Sequence, residues 1–264
     1  MSADPSPPPS LPGVAARDGL RVVLLGPKRG ANVGAVCRAI KNMGAGALVT
    51  VGGDYDRDEA RRTAVHAGDV FDSRTEAASF DEAVAACALV VGTTSREKPW
   101  RIPVEPVGEV FPEARRRGLG ASAIALVFGP EDRGLSNEEL ARCHRLAFVP
   151  TAGEYASLNL AQAAVVCLYE WLRSGWDAPA GPAGPGPFAP ASAQADAIGD
   201  LRVALTEIGF LDGDQGERVM ATIASIFARA GLDEREVRIL RGIARQVRWA
   251  AGRGGRKPSE TRGD

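Results

Sequence analysis

Histidines and paired cysteines are scarce in this chain of 264 residues. Its two histidines, His66 and His144, are too few and too far apart to form a recognisable histidine motif, so metal or triad chemistry based on histidine is not predicted. The four cysteines show no CxxC pairing, which favours reduced and mostly buried thiols over disulfides or a zinc site. The sequence therefore predicts no metal cofactor.

Long apolar runs are also missing. No run is long enough to cross a bilayer, and the first residues, MSADPSPPPSLPG, have neither a basic start nor an apolar signal core. These absences predict a cytoplasmic protein without a membrane partner. The proline-rich residues 1–18 are predicted to form a disordered tail.

Charge is nearly balanced overall but unevenly distributed. The chain has 32 basic and 33 acidic residues, a net charge of -1. Residues 19–53 nevertheless hold five basic residues and no acidic one, and residues 229–262 hold ten basic and four acidic residues. Such asymmetry can create a local positive face on a neutral protein, or it can be an ordinary solvated surface.

Five short apolar runs recur through the first two-thirds of the chain. They cover residues 21–25, 47–51, 88–94, 123–128 and 145–150. Continuous rather than alternating apolarity is typical of strands buried on both faces, and helical segments lie between the runs. The sequence therefore predicts an α/β fold with a parallel sheet. A long alanine-rich helix is predicted to follow, beginning around Ser157.

The composition changes after this helix. Residues 177–195 are dense in proline, glycine and alanine and are predicted to form a linker. Three later stretches repeat apolar residues at helical spacing, which predicts a small appendage of about three helices. They cover residues 196–210, 214–230 and 233–250. The predicted organisation is a first domain over 19–176, the linker, a helical domain over 196–250 and a disordered basic tail over 251–264.

The stretch GANVGAVCRAIKNMG, residues 30–44, carries Arg38 with no acid to pair it. In a helix, Arg38 would share its side with Gly34 and Asn42, away from the sheet. A guanidinium with space beside it suits a phosphate or a sugar oxygen. The glycines match neither a P-loop nor the GxGxxG dinucleotide fingerprint, so a nicotinamide-dependent oxidoreductase is a trailing alternative. Another alternative is that the glycines only allow close packing and Arg38 is a surface residue.

Two later strand ends carry further candidate residues. In ALVFGPEDRGLSNEEL, Ser136 and Glu139 predict a capping box, and Glu131 lies in the turn before it, where open α/β sheets place their ligands. In FVPTAGEYASLNLAQAA, Ser157 and Asn159 stand near a helix N-terminus, whose free N–H groups can hold an anion. Solvation of Glu131 and simple capping by Ser157 are the alternatives.

Three motifs together resemble, in order and spacing, those of the SpoU (TrmH) branch of the SPOUT methyltransferases. They are Asn32-x-Gly34-x3-Arg38, FGPEDRGLS and EYASLNLA. VVGTTSREKPWR, between the first two, resembles the loop that carries part of the family's methyl-donor site. The C-terminal segments IGFL and EVRILRGIARQV resemble the tail of the TrmJ subgroup, which methylates ribose 2′-hydroxyls in the tRNA anticodon loop. The resemblance covers roughly residues 19–250.

The resemblance implies a deep trefoil knot at the C-terminal end of the sheet domain. It implies S-adenosylmethionine as the methyl donor, tRNA as the partner with the pyrimidine at position 32 as target, and a homodimer that packs through the knotted region. The implied methyl-donor site comprises Thr93, Thr94, Ser95, Gly129, Val149, Ala156, Ser157 and Leu158.

The resemblance also implies which residues act on the RNA. Arg38 would be the catalytic arginine; because a guanidinium does not readily lose its proton, we expect it to bind the ribose oxygen or a phosphate and stabilise the developing alkoxide. Asn32 would orient the substrate or the arginine, while Glu131, Ser157 and Asn159 would shape the pocket. By their charge, and not by the resemblance, the first βα unit and SREKPWR supply residues for phosphate contact, namely Lys28, Arg29, Arg96, Lys98 and Arg101. Trp100 would stack on a loop base, or alternatively anchor its own loop.

Two rivals to a tRNA ribose methyltransferase remain compatible with these motifs. One is a ribosomal-RNA 2′-O-methyltransferase of the same branch, because the catalytic motifs do not specify the RNA. The other is a non-catalytic RNA-binding SPOUT protein, against which the intact Asn32, Arg38, Ser157 and Asn159 argue. Only the C-terminal tail favours tRNA over ribosomal RNA.

Overall fold

The computed structural model describes residues 20–95, 104–116, 119, 124–152, 157–175 and 188–254. The tail predicted over 1–18 and most of the predicted linker lie outside these residues.

A parallel sheet organises the first part of the chain. Its strands are β1 (Arg21–Leu25), β2 (Ala47–Val51), β3 (Thr75–Ala77), β4 (Leu89–Thr93), β5 (Val104–Pro106), β6 (Ile124–Phe128) and β7 (Arg145–Phe148). They lie in the order β3-β2-β1-β6-β4-β7-β5, and every neighbouring pair is parallel. The five predicted strands are all present, which confirms the α/β fold. The edge strands β3 and β5 were not predicted, because three residues of mixed polarity show no periodicity.

Helices cover both faces of the sheet. They are α1 (Gly30–Met43), α2 (Arg57–Thr63), α3 (Gly68–Asp72), α4 (Phe80–Val84), α5 (Val107–Arg116), α6 (Asn137–Ala141) and α7 (Leu160–Ser174). Apolar residues of α1, α2, α3, α5 and α7 form the core on one face, and those of α4 and α6 form the core on the other. In β1, Val22 and Leu24 point to the first core and Val23 and Leu25 to the second, which explains the unbroken apolar run.

Helix α1 packs closely on α2 through a glycine. A Cβ atom on Gly34 would lie 2.4 Å from the carbonyl oxygen of Ala60, so only glycine fits there. Arg38 is exposed, as predicted. The expectation that Gly34 leaves open space beside Arg38 is wrong, because α2 fills that space. The open side of α1 around Arg38 is formed by the half-buried Ala31 and Ala35.

The C-terminal part contains three long helices. They are α8 (Ala191–Glu207), α9 (Gly213–Ala230) and α10 (Glu234–Gly254). Helix α8 begins inside the predicted 177–195 linker, because the alanine-rich residues after Pro190 favour a helix and the backbone N–H of Ala191 donates to the carbonyl of Cys87 at 2.6 Å. Helix α10 likewise continues past residue 250, where the disordered tail was predicted to begin. No helix in the described part of the chain is long and apolar enough to span a membrane.

All four cysteines are buried, as predicted, and all four are free. Burial raises the pKa of both Cys37 and Cys167 to about 12, so these thiols stay protonated at neutral pH. They contribute to packing rather than to nucleophilic chemistry.

His144 is a buried histidine that links β4 to β7. Its Nδ1 accepts a hydrogen bond from the backbone N–H of Val90 at 3.0 Å, and the backbone N–H of His144 donates to the Val90 carbonyl at 2.9 Å. Burial lowers the pKa of His144 to about 4. Protonation would place a hydrogen on Nδ1 opposite the Val90 N–H and remove this acceptor, so the neutral ring is the structural form.

We expect His144 to make stability depend on pH. Because its folded-state pKa lies below the unfolded value, the unfolded chain takes up the proton first as the pH falls. The free energy of unfolding should decrease from pH 6.5 to about 4, by roughly 3 kcal/mol from this group. Urea unfolding at several pH values would measure the loss, which His144→Asn should remove and the exposed-site control His66→Asn should not. Equal pH slopes for wild type and His144→Asn would contradict the assignment.

Candidate active site

A cavity of about 560 Å³ lies beyond the carboxyl ends of β4, β6 and β7. Seven of the eight residues predicted for the methyl-donor site line it. They are Thr93, Thr94, Ser95, Gly129, Val149, Ser157 and Leu158. The eighth, Ala156, lies outside the described residues. The structure therefore brings the ends of three strands and the segment before α7 to one cavity, at the sheet edge where open α/β folds bind ligands.

Hydrogen bonds fix the end of β4 between its two neighbours. The hydroxyl of Thr93 donates to the carbonyl of Val127 at 2.9 Å, and the backbone N–H of Thr94 donates to the carbonyl of Ala147 at 3.0 Å. These bonds continue the sheet past the last paired residue of β4. The cavity wall at Thr93 and Thr94 is therefore held by one side-chain and one backbone hydrogen bond to the neighbouring strands.

The loop after β6 turns back sharply on itself. Gly134 has a φ of +68°, and its N–H donates to the carbonyl of Pro130 at 2.8 Å. A Cβ atom on Gly129 would lie 2.2 Å from the carbonyl carbon of Gly134. Both glycines are therefore required by the turn that forms this side of the cavity.

Glu131, at the tip of this loop, accepts three hydrogen bonds from the first βα unit. The donors are the backbone N–H groups of Lys28 at 2.9 Å and Arg29 at 3.2 Å, and the side-chain amide of Asn32 at 2.9 Å. The loop before α1 is thus held by a carboxylate from another part of the sheet. Glu131 is a bound structural anion rather than a solvated surface acid.

Asn159 connects the third motif to the same network. Its amide nitrogen donates to the side-chain oxygen of Asn32 at 3.1 Å, while its side-chain oxygen accepts from the N–H of Ala161 at 2.9 Å. Asn32 is only 8% exposed, so both of its amide groups are used inside the protein. The chain Glu131–Asn32–Asn159 therefore joins all three motifs at the border of the cavity.

The start of α7 differs from the prediction. Asn159, not Ser157, is the N-cap, and Gln162 completes a capping box by accepting the Asn159 N–H at 3.2 Å. The spacing of Asn159 and Gln162 is the sequence signal that could have placed the cap correctly. The capping box of Ser136 and Glu139 is confirmed. Ser157, no longer needed as a cap, lines the cavity.

The structure separates Arg38 from this cavity. Its side chain is exposed and is not part of the cavity lining, and none of the described residues pairs with its guanidinium. Of the predicted RNA contacts, Arg29 lines the cavity, whereas the ammonium of Lys28 pairs with Asp132 and lowers the pKa of that carboxyl. Arg96, Lys98, Trp100 and Arg101 lie outside the described residues.

The N-terminus of α1 is unsuited to a dinucleotide pyrophosphate. Three N–H groups at this turn are already used, since Glu131 binds those of Lys28 and Arg29 and Glu59 accepts the N–H of Ala31 at 3.1 Å. A pyrophosphate at this turn would need the same donors. This geometry argues against the nicotinamide-dependent alternative.

Sequence reasoning missed several residues of the cavity lining. They include Phe128, Leu135, Gln162, Ala163 and Cys167. Most are apolar residues that a sequence assigns to the core, and only the turn of the β6–α6 loop and the approach of α7 reveal that they also face the cavity. No group of three metal-ligating side chains occurs among the residues that the structure describes.

Comparison with known proteins identifies the family to which this arrangement belongs. Residues 19–169 match the model of the SpoU rRNA Methylase family, so the chain belongs to this family of RNA methylases. Residues 198–259 match the model described as tRNA methyltransferase TrmJ, C-terminal domain.

Individual relatives match over nearly the whole chain. The tRNA (cytidine/uridine/adenosine-2′-O-)-methyltransferase TrmJ of Pseudomonas aeruginosa is 33% identical over 250 residues, which are 89% of this chain and 95% of that protein. The tRNA (cytidine/uridine-2′-O-)-methyltransferase TrmJ of Salmonella typhimurium is 34% identical over 241 residues, 86% of this chain and 96% of that protein.

Solved structures agree with the sequence matches. The crystal structure of TrmJ from Z. mobilis ZM4 superposes with a TM-score of 0.72 at 27% identity, covering 86% of this chain and 98% of that one. A probable methylase family protein from Haemophilus influenzae superposes with a TM-score of 0.57 at 27% identity, covering 91% of this chain and 100% of that one.

The network predicts a stability cost when Asn32 is removed. Asn32→Ala removes a buried side chain and leaves the amide of Asn159 and one oxygen of Glu131 without their partner, so we expect the free energy of unfolding to fall by about 2 kcal/mol. Asn42→Ala, at an exposed position of the same helix, should change it by less than about 0.5 kcal/mol. Urea unfolding measures both variants, and equal midpoints and slopes would contradict the proposed importance of the network.

The tight turn predicts a separate effect on methyl-donor binding. Gly129→Ala forces the 129–135 loop to move, so we expect the affinity for S-adenosylmethionine to fall about tenfold or more. Gly199→Ala adds the same methyl group in α8, where nothing lies within 4 Å, and should leave this affinity unchanged. Calorimetric titration measures both, and a wild-type affinity in folded Gly129→Ala would show that the turn does not shape the binding site.

Proposed function

We propose that this chain is an S-adenosylmethionine-dependent tRNA 2′-O-ribose methyltransferase that acts in the cytoplasm on the pyrimidine at position 32 of the anticodon loop. The observation that carries the proposal is the chain Glu131–Asn32–Asn159, which holds three motifs of the family at the border of one cavity. The match of residues 198–259 to the TrmJ C-terminal model, and relatives that are named tRNA methyltransferases, support tRNA over ribosomal RNA.

The cavity suits S-adenosylmethionine in size and in chemistry. Its volume of about 560 Å³ lies within the range of small-ligand sites. Apolar side chains such as Leu135 and Ala163 can pack against an aromatic base, while the hydroxyls and backbone groups around Thr94 and Ser157 can bind ribose and amino-acid groups. We therefore assign Thr93, Thr94, Ser95, Gly129, Val149, Ser157 and Leu158 to the methyl-donor site.

The chemistry requires alignment and proton removal. When bound, S-adenosylmethionine supplies a methyl group that its sulfonium has already activated. The protein must therefore hold the ribose hydroxyl in line and stabilise the oxygen as its proton leaves. A permanently charged guanidinium at Arg38 does so by hydrogen bonding to the developing alkoxide. Asn32, held on both sides, keeps the first βα unit in a fixed position relative to the cavity.

The position of Arg38 supports a homodimer. Arg38 lies nine residues beyond Arg29 on α1, roughly 13 Å farther along the helix axis, and does not reach the cavity of its own chain. The neighbouring helix α7 exposes apolar side chains, with Val165 41% and Tyr169 42% exposed. We propose that these faces of α1 and α7 pack against a second copy of the chain, so that Arg38 of one protomer completes the cavity of its partner.

Two further features belong to the proposal. The strand order β6-β4-β7, in which two later strands flank an earlier one, supports a deep trefoil knot in the region that leads to α7. Helices α8, α9 and α10 would form the appended helical domain. The division into domains over 19–176 and 196–250 stays a prediction.

Arg38→Ala provides the direct test of activity. We expect methyl transfer from labelled S-adenosylmethionine to unmodified tRNA to fall by about 100-fold to 1,000-fold, with unchanged affinity for the methyl donor. Arg62→Ala, at an exposed position of α2, serves as the matched control and should keep wild-type activity. Mass spectrometry of digested RNA would locate the modified nucleoside.

Each other outcome redirects the assignment. A ribose-methylated pyrimidine at another position of the anticodon loop would correct the target nucleotide only. Label in ribosomal RNA alone would replace the substrate and keep the chemistry. Binding of S-adenosylmethionine without transfer to either RNA would indicate a non-catalytic RNA-binding protein.

A further inference from the structure

Arg29 lies between the methyl-donor cavity and the motif that contains Asn32. It is the N-cap of α1, its exposed side chain lines the cavity, and its backbone N–H donates to Glu131 at 3.2 Å. Because Glu131 also binds Asn32, the backbone from which Arg29 projects is fixed relative to the motif that faces the RNA. The guanidinium of Arg29 thus extends from a backbone segment that is held in a fixed position.

The guanidinium of Arg29 differs from the neighbouring cations of this cavity in its pairing. The cations among the described lining residues are Arg29 and Arg133. The guanidinium of Arg133 is engaged by Glu139 at 3.1 and 3.3 Å. The neighbouring Lys28 is also paired, through Asp132. The guanidinium of Arg29, by contrast, has no hydrogen-bond or ion-pair partner among the residues described.

We propose that Arg29 binds a phosphate group of the RNA acceptor at the mouth of the methyl-donor cavity, and so positions the target nucleotide. This inference rests on the proposed function and assigns a substrate-binding residue within it. A planar guanidinium fork matches phosphate oxygens, and the N-terminal end of α1 adds a favourable dipole. Because Arg29 lines the cavity of its own chain and Arg38 does not, the two arginines would contact the RNA from different protomers.

A phosphate is favoured over the carboxylate of the methyl donor. Arg29 belongs to the loop before α1, three residues from Asn32, whereas the predicted methyl-donor residues come from the ends of β4, β6 and β7 and the segment before α7. The arginine therefore stands on the acceptor side of the cavity. Its exposure also suits a large ligand that approaches from solvent.

The test compares charge removal at neighbouring positions in the full-length protein. Arg29→Gln should weaken tRNA binding and raise the KM for tRNA about tenfold, leave affinity for S-adenosylmethionine unchanged, and reduce the slope of log affinity against log salt by about 0.7 to 0.9. Arg29→Lys should restore the salt slope but only part of the affinity, because a lysine keeps the charge without the fork. Arg62→Gln is the control and should leave tRNA binding, the KM for tRNA and the salt slope unchanged. Lys28→Gln should weaken tRNA binding less than Arg29→Gln.

Three results would overturn the inference while the proposed function stands. Wild-type tRNA affinity in Arg29→Gln would show that no phosphate is bound there. A loss of S-adenosylmethionine affinity instead would assign Arg29 to the carboxylate of the methyl donor. Equal losses in Lys28→Gln and Arg29→Gln would indicate diffuse attraction by the loop. Failure of the proposed function itself is distinguished by wild-type protein that transfers no methyl group to any RNA.

Discussion

The carboxylate of Glu131 is the interaction on which the candidate site depends. It takes three N–H donors from the loop and first turn of α1, and through Asn32 it reaches the N-cap of α7. A helix N-terminus normally offers its N–H groups to a ligand anion. Here Glu131 of the protein itself takes the position of the ligand anion. The turn that many nucleotide-binding folds use for phosphate therefore serves as a structural joint between the first βα unit and the loop after β6. The ligand cavity lies beside this joint, at the ends of β4, β6 and β7.

Close packing supports this joint from the other side. Gly34 lets α2 approach α1 so closely that a methyl group would collide with the backbone at Ala60. The glycine of the first motif thus serves helix packing, while the asparagine serves the joint and the arginine faces outward. One short motif therefore carries three unrelated physical requirements. The spacing of Gly34 and Arg38 in the sequence suggested open space beside the arginine. In the folded protein α2 fills that space.

The sequence predicted what depends on local pattern. Continuous apolar runs identified five of seven strands, and capping chemistry placed α6 correctly. Contacts between distant segments could not be read from periodicity: the bond from Asn159 to Asn32 joins residues 127 positions apart. The start of α7 was misplaced because Ser157 and Asn159 are both good caps, and only the second has Gln162 at the right spacing. That seven of the eight predicted methyl-donor residues line one cavity follows from the family resemblance, not from composition.

The placement of the C-terminal helices constrains how a large RNA can use them. Helix α8 is fastened to residues just before β4, since the N–H of Ala191 binds the Cys87 carbonyl and the amide of Gln194 binds the Ala88 carbonyl at 3.2 Å. The cavity begins at Thr93, the last residue of β4. Five residues of strand, roughly 16 Å, separate these points. An RNA that contacts both the start of α8 and the cavity of one chain must therefore span this distance, which a folded RNA can do and a single nucleotide cannot.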